Sequence, residues 1–236
     1  MPDLFLLATR NSGKLREIRD LAGPEGFEVL SLADFPALAE VEETGETFAA
    51  NALLKARAAC RATGLITLAD DSGLEVDALA GAPGVRSARF AGEMHCWQDR
   101  LSACGARRSR PQCGLDYAAK AAVSYLHCDR SNNAKLLDVL RETPAAECTA
   151  RFRCVMAIVA PDGAERLVEG VAEGIIAAEP RGAGGFGYDP LFWVPEAGMM
   201  MAELSPAEKN RYSHRGKALR QALLVIKEYV NKGEKG

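Results

Sequence analysis

The stretch LFLLATRNSGK, residues 4–14, predicts a buried strand, a turn and the beginning of a helix. Apolar residues fill positions 4–8, and turn-forming types follow at 9–13, apart from Arg10. A helix is expected over roughly residues 14–21. A strand that passes through a short turn into a helix is a basic unit of α/β folds.

The rest of the chain continues this alternation of strands and helices. Strands are predicted at 27–30, 65–69 (with 74–76 resuming it), 152–160 and 165–176, and helices at 47–63, 133–140 and 215–230. A further helix beginning at Ser205-Pro206 is indicated by a capping box with Glu208. Early alternation followed by a hairpin through 161–163 predicts an α/β fold with a mixed sheet.

The turn after the first strand is suited to phosphate. Free backbone N–H groups and the positive end of the helix dipole attract anions at a helix start. The turn adds hydroxyl, amide and ammonium groups from Thr9, Asn11, Ser12 and Lys14. It is not a Walker P-loop, because alanine stands at position 8 and leucine at 15. On this feature alone, an ordinary strand–turn–helix with a surface lysine is favoured.

Two adjacent carboxylates, Asp70 and Asp71, follow an apolar run and precede Ser72-Gly73. They repel each other unless a cation or hydrogen bonds compensate, and Mg²⁺ with oxygen ligands is a natural partner. Glu42 and Glu43, before the helix at 47–63, are candidates to join them. A solvated turn explains the pair equally well.

A glycine-rich loop at 181–190 and a basic cluster at 208–217 supply further candidates. The glycine spacing fits GxGxxG, but prolines at 190 and 195 exclude the helix that a dinucleotide fold requires. Phe186 and Tyr188 offer aromatic faces for a planar base. His214 and Arg215, with Lys209, suit purine carbonyl oxygens or phosphate. A flexible hairpin and a solvated charged helix junction are the plainer interpretations.

Composition excludes several classes of function. The 236 residues carry a net charge of −3, so nothing calls for nucleic acid or an anionic membrane as partner. No apolar run is long enough to span a membrane, and no signal peptide is evident, so a cytoplasmic location is expected. Seven cysteines without a CxxC pair indicate neither a disulfide framework nor a zinc site.

Five motifs in a fixed order closely resemble the inosine triphosphate pyrophosphatase family. They are ATRNSGK at 8–14, EETG at 42–45 with Asn51-Ala52, ADDSGL at 69–74, GGFGYDP at 184–190 and SHRG at 213–216. The resemblance covers residues 3–93 and 131–231. It implies a single domain whose elongated mixed sheet and helices form two lobes around a central cleft. It also implies a homodimer.

The resemblance assigns residues to roles. Triphosphate binding would fall to Thr9, Arg10, Asn11, Ser12, Gly13, Lys14 and Lys55. The ligands of Mg²⁺ would be Glu43, Asp70 and Asp71, with Asp71 as general base. The remaining substrate contacts would be made by Ser72, Phe186, Gly187, Tyr188, Asp189, Lys209, His214 and Arg215.

The implied reaction is hydrolysis of ITP, dITP or XTP to the monophosphate and pyrophosphate. Water would attack the α-phosphorus while the carboxylate takes its proton and lysines stabilise the leaving group. Donors facing the 6-oxo group would meet another donor in adenine. Two alternatives stay open: a related pyrophosphatase acting on pyrimidine or modified nucleotides, which SHRG disfavours, and a nucleotide-binding protein without catalysis.

The chain departs from the family at residues 94–130. Relatives pass in a few residues between the flanking elements, whereas 37 residues (130 − 94 + 1) intervene here. The segment holds four of the seven cysteines and a local charge of +3, and a helix is expected only at 115–126. We predict a cysteine-rich insertion on the surface that adds nothing to the catalytic site.

Overall fold

The computed structural model describes residues 3–39, 41–92 and 117–233. One seven-stranded sheet, in the order β2-β1-β3-β4-β5-β6-β7, organises this part of the chain. Its strands are β1 (Asp3–Leu7), β2 (Phe27–Ser31), β3 (Thr67–Val76), β4 (Thr149–Val159), β5 (Glu165–Ile176), β6 (Phe192–Val194) and β7 (Met199–Met200). The helices are α1 (Ser12–Ala22), α2 (Phe48–Thr63), α3 (Tyr117–Val139), α4 (Pro206–Tyr212) and α5 (His214–Gly233).

The sheet is mixed, as predicted, and the α/β class is confirmed. Strand β1 pairs in parallel with β2 and β3. From β3 onward every pairing is antiparallel, including the long β4–β5 hairpin that turns at residues 160–164. The division into two lobes stays a prediction. None of the helices in the described ranges combines the length and apolar character needed to cross a membrane.

Helices cover both faces of the sheet, and side-chain alternation separates two cores. Leu68 and Met156 face α1 and α5, where Ile18 and Leu219 pack against them. Ala69, one residue further along β3, faces the opposite side and packs with alanines of α2. A third core joins the far end of β3 and β4 to β6 and to Leu136 of α3. These layers hold the polar residues of β3 rigidly between helices.

The structure corrects the prediction for residues 70–73. The sequence predicts a strand at 65–69 that resumes at 74–76, but β3 runs without interruption through Asp70 and Asp71, which pair with Met156 and Val155 of β4. Ladder hydrogen bonds to β4 outweigh the local turn preference of Asp, Ser and Gly, because a buried strand must satisfy its backbone groups.

The helices predicted at 115–126 and 133–140 are one helix. Helix α3 continues from Tyr117 to Val139, and residue 115 lies outside the described residues. The intervening residues 127–132 contain neither glycine nor proline, so nothing in the backbone chemistry interrupts the helix. The capping box at Ser205 is confirmed. The Ser205 hydroxyl accepts the Glu208 N–H at 3.3 Å, and the Glu208 carboxylate accepts the Ser205 N–H at 2.9 Å.

Candidate active site

A cavity of about 930 Å³ brings the predicted residues together. It is bounded by the β1–α1 turn, the segment before α2, the middle of β3, the middle of α3, the glycine-rich loop and the α4–α5 junction. Every predicted site residue lines it except Ser12, Gly13 and Asp70. Residues from distant parts of the sequence therefore converge on one cleft of nucleotide size.

The β1–α1 turn is held by Asn11, the N-cap residue of α1. Its side-chain oxygen accepts the N–H groups of Gly13 at 2.9 Å and Lys14 at 3.1 Å. The Asn11 N–H in turn donates to the Thr9 hydroxyl at 3.2 Å. Arg10 donates to the carbonyl of Leu38 at 2.7 Å, and both residues line the cavity. The N–H groups of Gly13 and Lys14 are therefore used by the N-cap, and the residues of this turn that line the cavity are Thr9, Arg10, Asn11 and Lys14.

Asp70 is buried on the α1 and α5 face of β3. Its Oδ2 lies 2.8 Å from the Lys14 ammonium and 3.6 Å from Arg215 Nε. Burial opposes ionisation, but Lys14 and Arg215 outweigh it and hold the pKa of Asp70 well below its usual range. Its Oδ1 is buried without a hydrogen-bond partner in the described residues. Asp70 is therefore a buried, charged carboxylate that does not line the cavity.

Asp71 faces the other side of β3, toward α2, and lines the cavity. Asn51 donates to its Oδ2 at 3.0 Å, and Asn51 is itself fixed by the Gly45 N–H at 2.7 Å. Burial raises the pKa of Asp71, a rise that Lys55 opposes and Glu43 increases. A carboxylate with a raised pKa is a stronger base than one in water.

Lys55 lies between the acidic residues. Its ammonium is 2.8 Å from Glu43 Oε1 and 3.6 Å from Asp71 Oδ1, and it donates to the Asp70 carbonyl at 2.6 Å. No three metal-binding side chains converge on a ready-made metal site within the described residues. A positive charge nevertheless lies between Glu43 and Asp71, while the carboxylate of the third predicted ligand, Asp70, lies on the other face of β3.

The glycine-rich loop folds around the carboxylate of Asp189. That carboxylate accepts the Phe186 N–H at 2.9 Å and the Lys209 ammonium at 2.7 Å. A Cβ on Gly185 would lie 2.0 Å from Asp189 Oδ2, and φ there is +75°, so only glycine fits. Burial raises the pKa of Asp189 against the opposing effect of Lys209. Tyr188 is buried and donates its hydroxyl to the Ser87 carbonyl at 2.8 Å, which fixes the loop.

Two cations lie against the ring of Phe186. The Lys209 ammonium is 4.8 Å and the Arg215 guanidinium 5.3 Å from the ring centroid. Glu17 of α1 joins them, with Oε1 at 2.7 Å from Lys209 and Oε2 at 2.6 Å from Arg215. Arg215 also donates to Ser72 at 3.0 Å. An aromatic face and two aligned donors therefore form one end of the cavity.

His214 stacks on Phe152, with ring centroids 4.8 Å apart and planes 16° from parallel. Burial, followed by Arg215 and Lys209, lowers the pKa of His214 well below its usual range, which favours the neutral ring. Its Nδ1 is buried without a hydrogen-bond partner in the described part of the chain. The ring keeps an unused polar atom at the cavity wall.

Comparison with known proteins shows the family of this chain. The model of the Ham1 family matches residues 5–127 and 115–224. The chain belongs to the Ham1 family. A relative in Nitratidesulfovibrio vulgaris is 50% identical, covering 93% of each chain, and one in Desulforamulus reducens is 48% identical, covering 94% of each. Both relatives are named dITP/XTP pyrophosphatase.

Solved structures of Ham1 proteins share the fold. That of Coxiella burnetii has a TM-score of 0.73 and 38% identity, covering 95% of this chain and 98% of that one. The Staphylococcus aureus protein has a TM-score of 0.72 and 33% identity with the same coverage. The mixed sheet of this chain is therefore that of Ham1 proteins.

Sequence analysis missed three residues of this candidate site. Glu17 lies three positions after Lys14, and that helical spacing was the available signal. Asn51 was noted within a motif, but its contact with Asp71 was not foreseen. Asp129 accepts the Gly187 N–H at 2.7 Å and lines the cavity. The prediction that segment 94–130 adds nothing to the site is therefore wrong at this residue, because α3 brings it to the glycine-rich loop.

Proposed function

We propose that this Ham1 protein hydrolyses the purine nucleoside triphosphates ITP, dITP and XTP to the monophosphate and pyrophosphate. The observation that carries the proposal is one cavity that brings together Asp71, the ammonium groups of Lys14 and Lys55, and an aromatic end with the donors Lys209 and Arg215. Relatives of similar length, 46–50% identical, are named dITP/XTP pyrophosphatase. Site chemistry and relatives' names point to the same reaction.

The triphosphate would lie between the β1–α1 turn and α2. Lys14 and Lys55 both project into the cavity, and each is paired with carboxylates at 2.8 Å. Lysines held in this way are already oriented, so phosphate oxygens can take over part of their coordination at a small conformational cost. The lysines would then offset the charge that grows on the leaving pyrophosphate.

Of the predicted Mg²⁺ ligands Glu43, Asp70 and Asp71, Glu43 and Asp71 line the cavity and would hold the ion together with phosphate oxygens, whereas the Asp70 carboxylate lies on the other face of β3. The fit rests on the oxygen ligands that Glu43 and Asp71 provide. The ammonium of Lys55 already marks a place where these groups stabilise positive charge. When bound, Mg²⁺ would neutralise part of the charge on the polyphosphate.

Asp71 would take the proton of the attacking water. Asn51 holds Oδ2, while Oδ1 accepts the Ser72 N–H at 3.2 Å, so the carboxylate has a fixed orientation in the cavity. As the water oxygen bonds to the α-phosphorus, its proton passes to Asp71 and the bond to the pyrophosphate oxygen breaks. The raised pKa of Asp71 favours this transfer.

The base would stack near Phe186 with its 6-oxo group toward Lys209, His214 and Arg215. Lys209 and Arg215 are donors only, and their positions are fixed by Glu17. Hypoxanthine and xanthine offer an acceptor oxygen there, whereas adenine offers an amino donor. Buried donors left without an acceptor disfavour ATP.

The deciding experiment is product analysis with ITP. The protein is incubated with ITP and Mg²⁺, and IMP, IDP, pyrophosphate and phosphate are separated by ion exchange. IMP and pyrophosphate in equal amounts are expected, with no turnover after chelation of the metal. IDP and phosphate as first products, or faster turnover of dUTP than of ITP, would contradict the proposal. The homodimer and the cytoplasmic location stay predictions from the resemblance.

A further inference from the structure

One face of α3 binds both backbone polar groups of Gly187. Asp129 Oδ2 accepts the Gly187 N–H at 2.7 Å, and Asn133 Nδ2 donates to the Gly187 carbonyl at 3.1 Å. The two side chains are four positions apart, so they project from the same side of the helix one turn from each other. A single glycine is thus clamped by complementary partners.

The clamp acts at the centre of the glycine-rich loop. Gly187 separates Phe186, whose ring faces two cations, from Tyr188, whose hydroxyl is tied to Ser87. Its φ of +63° requires the left-handed region. Because Phe186 immediately precedes the clamped residue, α3 limits how far its ring can move relative to Lys209 and Arg215.

Asp129 is an unusual choice for a purely structural contact. Its carboxylate is partly buried, lines the cavity and accepts the Gly187 N–H, and no cation of the described residues pairs with it. Burial raises its pKa, against the lowering effect of the Gly187 N–H. Nearby residues of α3 anchor a different segment, since Asn132 accepts the Ala91 N–H at 2.7 Å. The contact of Asp129 therefore acts on the glycine-rich loop at the cavity, and not on the segment that Asn132 anchors.

We infer that Asp129, with Asn133, positions Phe186 and thereby sets the affinity and selectivity of the cavity for the purine base. The inference rests on the proposed function and deepens it, since it assigns base recognition in part to a helix outside the recognised motifs. The clamp acts through Phe186, so it should affect base binding while leaving the triphosphate contacts of Lys14 and Lys55 unchanged.

The test compares Asp129→Ala, Asp129→Asn and Asn133→Ala with the native protein, with Asp138→Ala as control. Asp138 lies on the same helix, but is exposed and pairs only with Arg141 in the described structure. For Asp129→Ala we expect KM for ITP to rise about tenfold and the ITP/ATP preference to fall, as for loss of one charged hydrogen bond. Saturated kcat and inhibition by inorganic tripolyphosphate should stay within about twofold of native.

Asp129→Asn keeps an amide oxygen for the Gly187 N–H and should restore most of the ITP affinity. Asn133→Ala should change KM and the ITP/ATP preference in the same way as Asp129→Ala. It provides the test if Asp129→Ala fails to fold. An unchanged KM would overturn the inference. A rise in KM accompanied by equally large falls in kcat and in tripolyphosphate inhibition would also overturn it. IMP affinity measured by calorimetry separates the two proposals: if the native protein does not cleave ITP, the function fails, yet weaker IMP binding by Asp129→Ala still supports the clamp.

Discussion

Glu17→Gln should destabilise the protein in a pH-dependent way. Glu17 connects two buried cations, Lys209 at 2.7 Å and Arg215 at 2.6 Å. Glutamine keeps the length but removes the charge, and each hydrogen bond to a charged group contributes about 1.5–3 kcal/mol. Since Lys209 retains Asp189 and Arg215 retains Ser72, we expect a net loss of about 2–4 kcal/mol. Tm should fall by about 4–16 °C.

The pH dependence follows from the lowered pKa of Glu17. Burial opposes ionisation, but Arg215 and Lys209 outweigh it and place the folded pKa below the ordinary value of 4.5. A depressed pKa contributes stability above the unfolded pKa, and this contribution is lost as pH falls through the folded pKa. The difference between native and variant should therefore be constant near neutral pH and shrink below pH 4.5.

The assay is urea unfolding followed by circular dichroism from pH 8 to about 3.5. Asp20→Asn, an exposed change on the same helix, is the matched control and should alter the free energy of unfolding by less than about 0.5 kcal/mol. An unfolding energy unaffected by Glu17→Gln at pH 7.5, or a difference that does not change with pH, would refute the reasoning.

Three further predictions test the site. Asp71→Asn should lower turnover of ITP at least about a hundredfold while ITP binding weakens less, and near-native turnover would remove the base assignment. In kcat/KM, ITP and XTP should exceed ATP by about ten- to a hundredfold, and His214→Ala or Arg215→Ala should erode that preference; equal native turnover of ATP and ITP would contradict it. Joining Glu93 to Cys128 retains Asp129 and should preserve KM for ITP, whereas joining Glu93 to Ser131 removes it and should raise KM. If both deletion variants fold and have equal KM values for ITP, Asp129 does not contribute to the site.

Local signals in the sequence were sufficient for much of the fold. The apolar run before Thr9 and the capping box at Ser205 act within a few residues, so sequence reasoning finds them. The β3 prediction was wrong because ten residues of pairing with β4 come from a part of the chain more than 70 positions away. Tertiary pairing overrides turn propensity there, and single-residue preferences contain no information about it.

The site was only partly predictable for a similar reason. Residues that share a motif, such as His214 and Arg215, were found together, and the structure places both at the cavity. Glu17 and Asp129 act on those motifs from other elements, across 198 and 58 positions. Their contacts depend on how α1 and α3 pack on the sheet, which no local pattern encodes.

The position of Asp70 and Asp71 within one strand explains how neighbours in sequence differ in chemistry. Adjacent side chains of a strand point to opposite faces, so Asp70 meets Lys14 and Arg215 while Asp71 meets Asn51 and Lys55. The first carboxylate is surrounded by cations and has a lowered pKa; the second is buried with weaker compensation and has a raised one. A turn would have exposed both to the same solvent. Because β3 is a buried strand, its two faces separate a fixed negative charge from a group able to accept a proton.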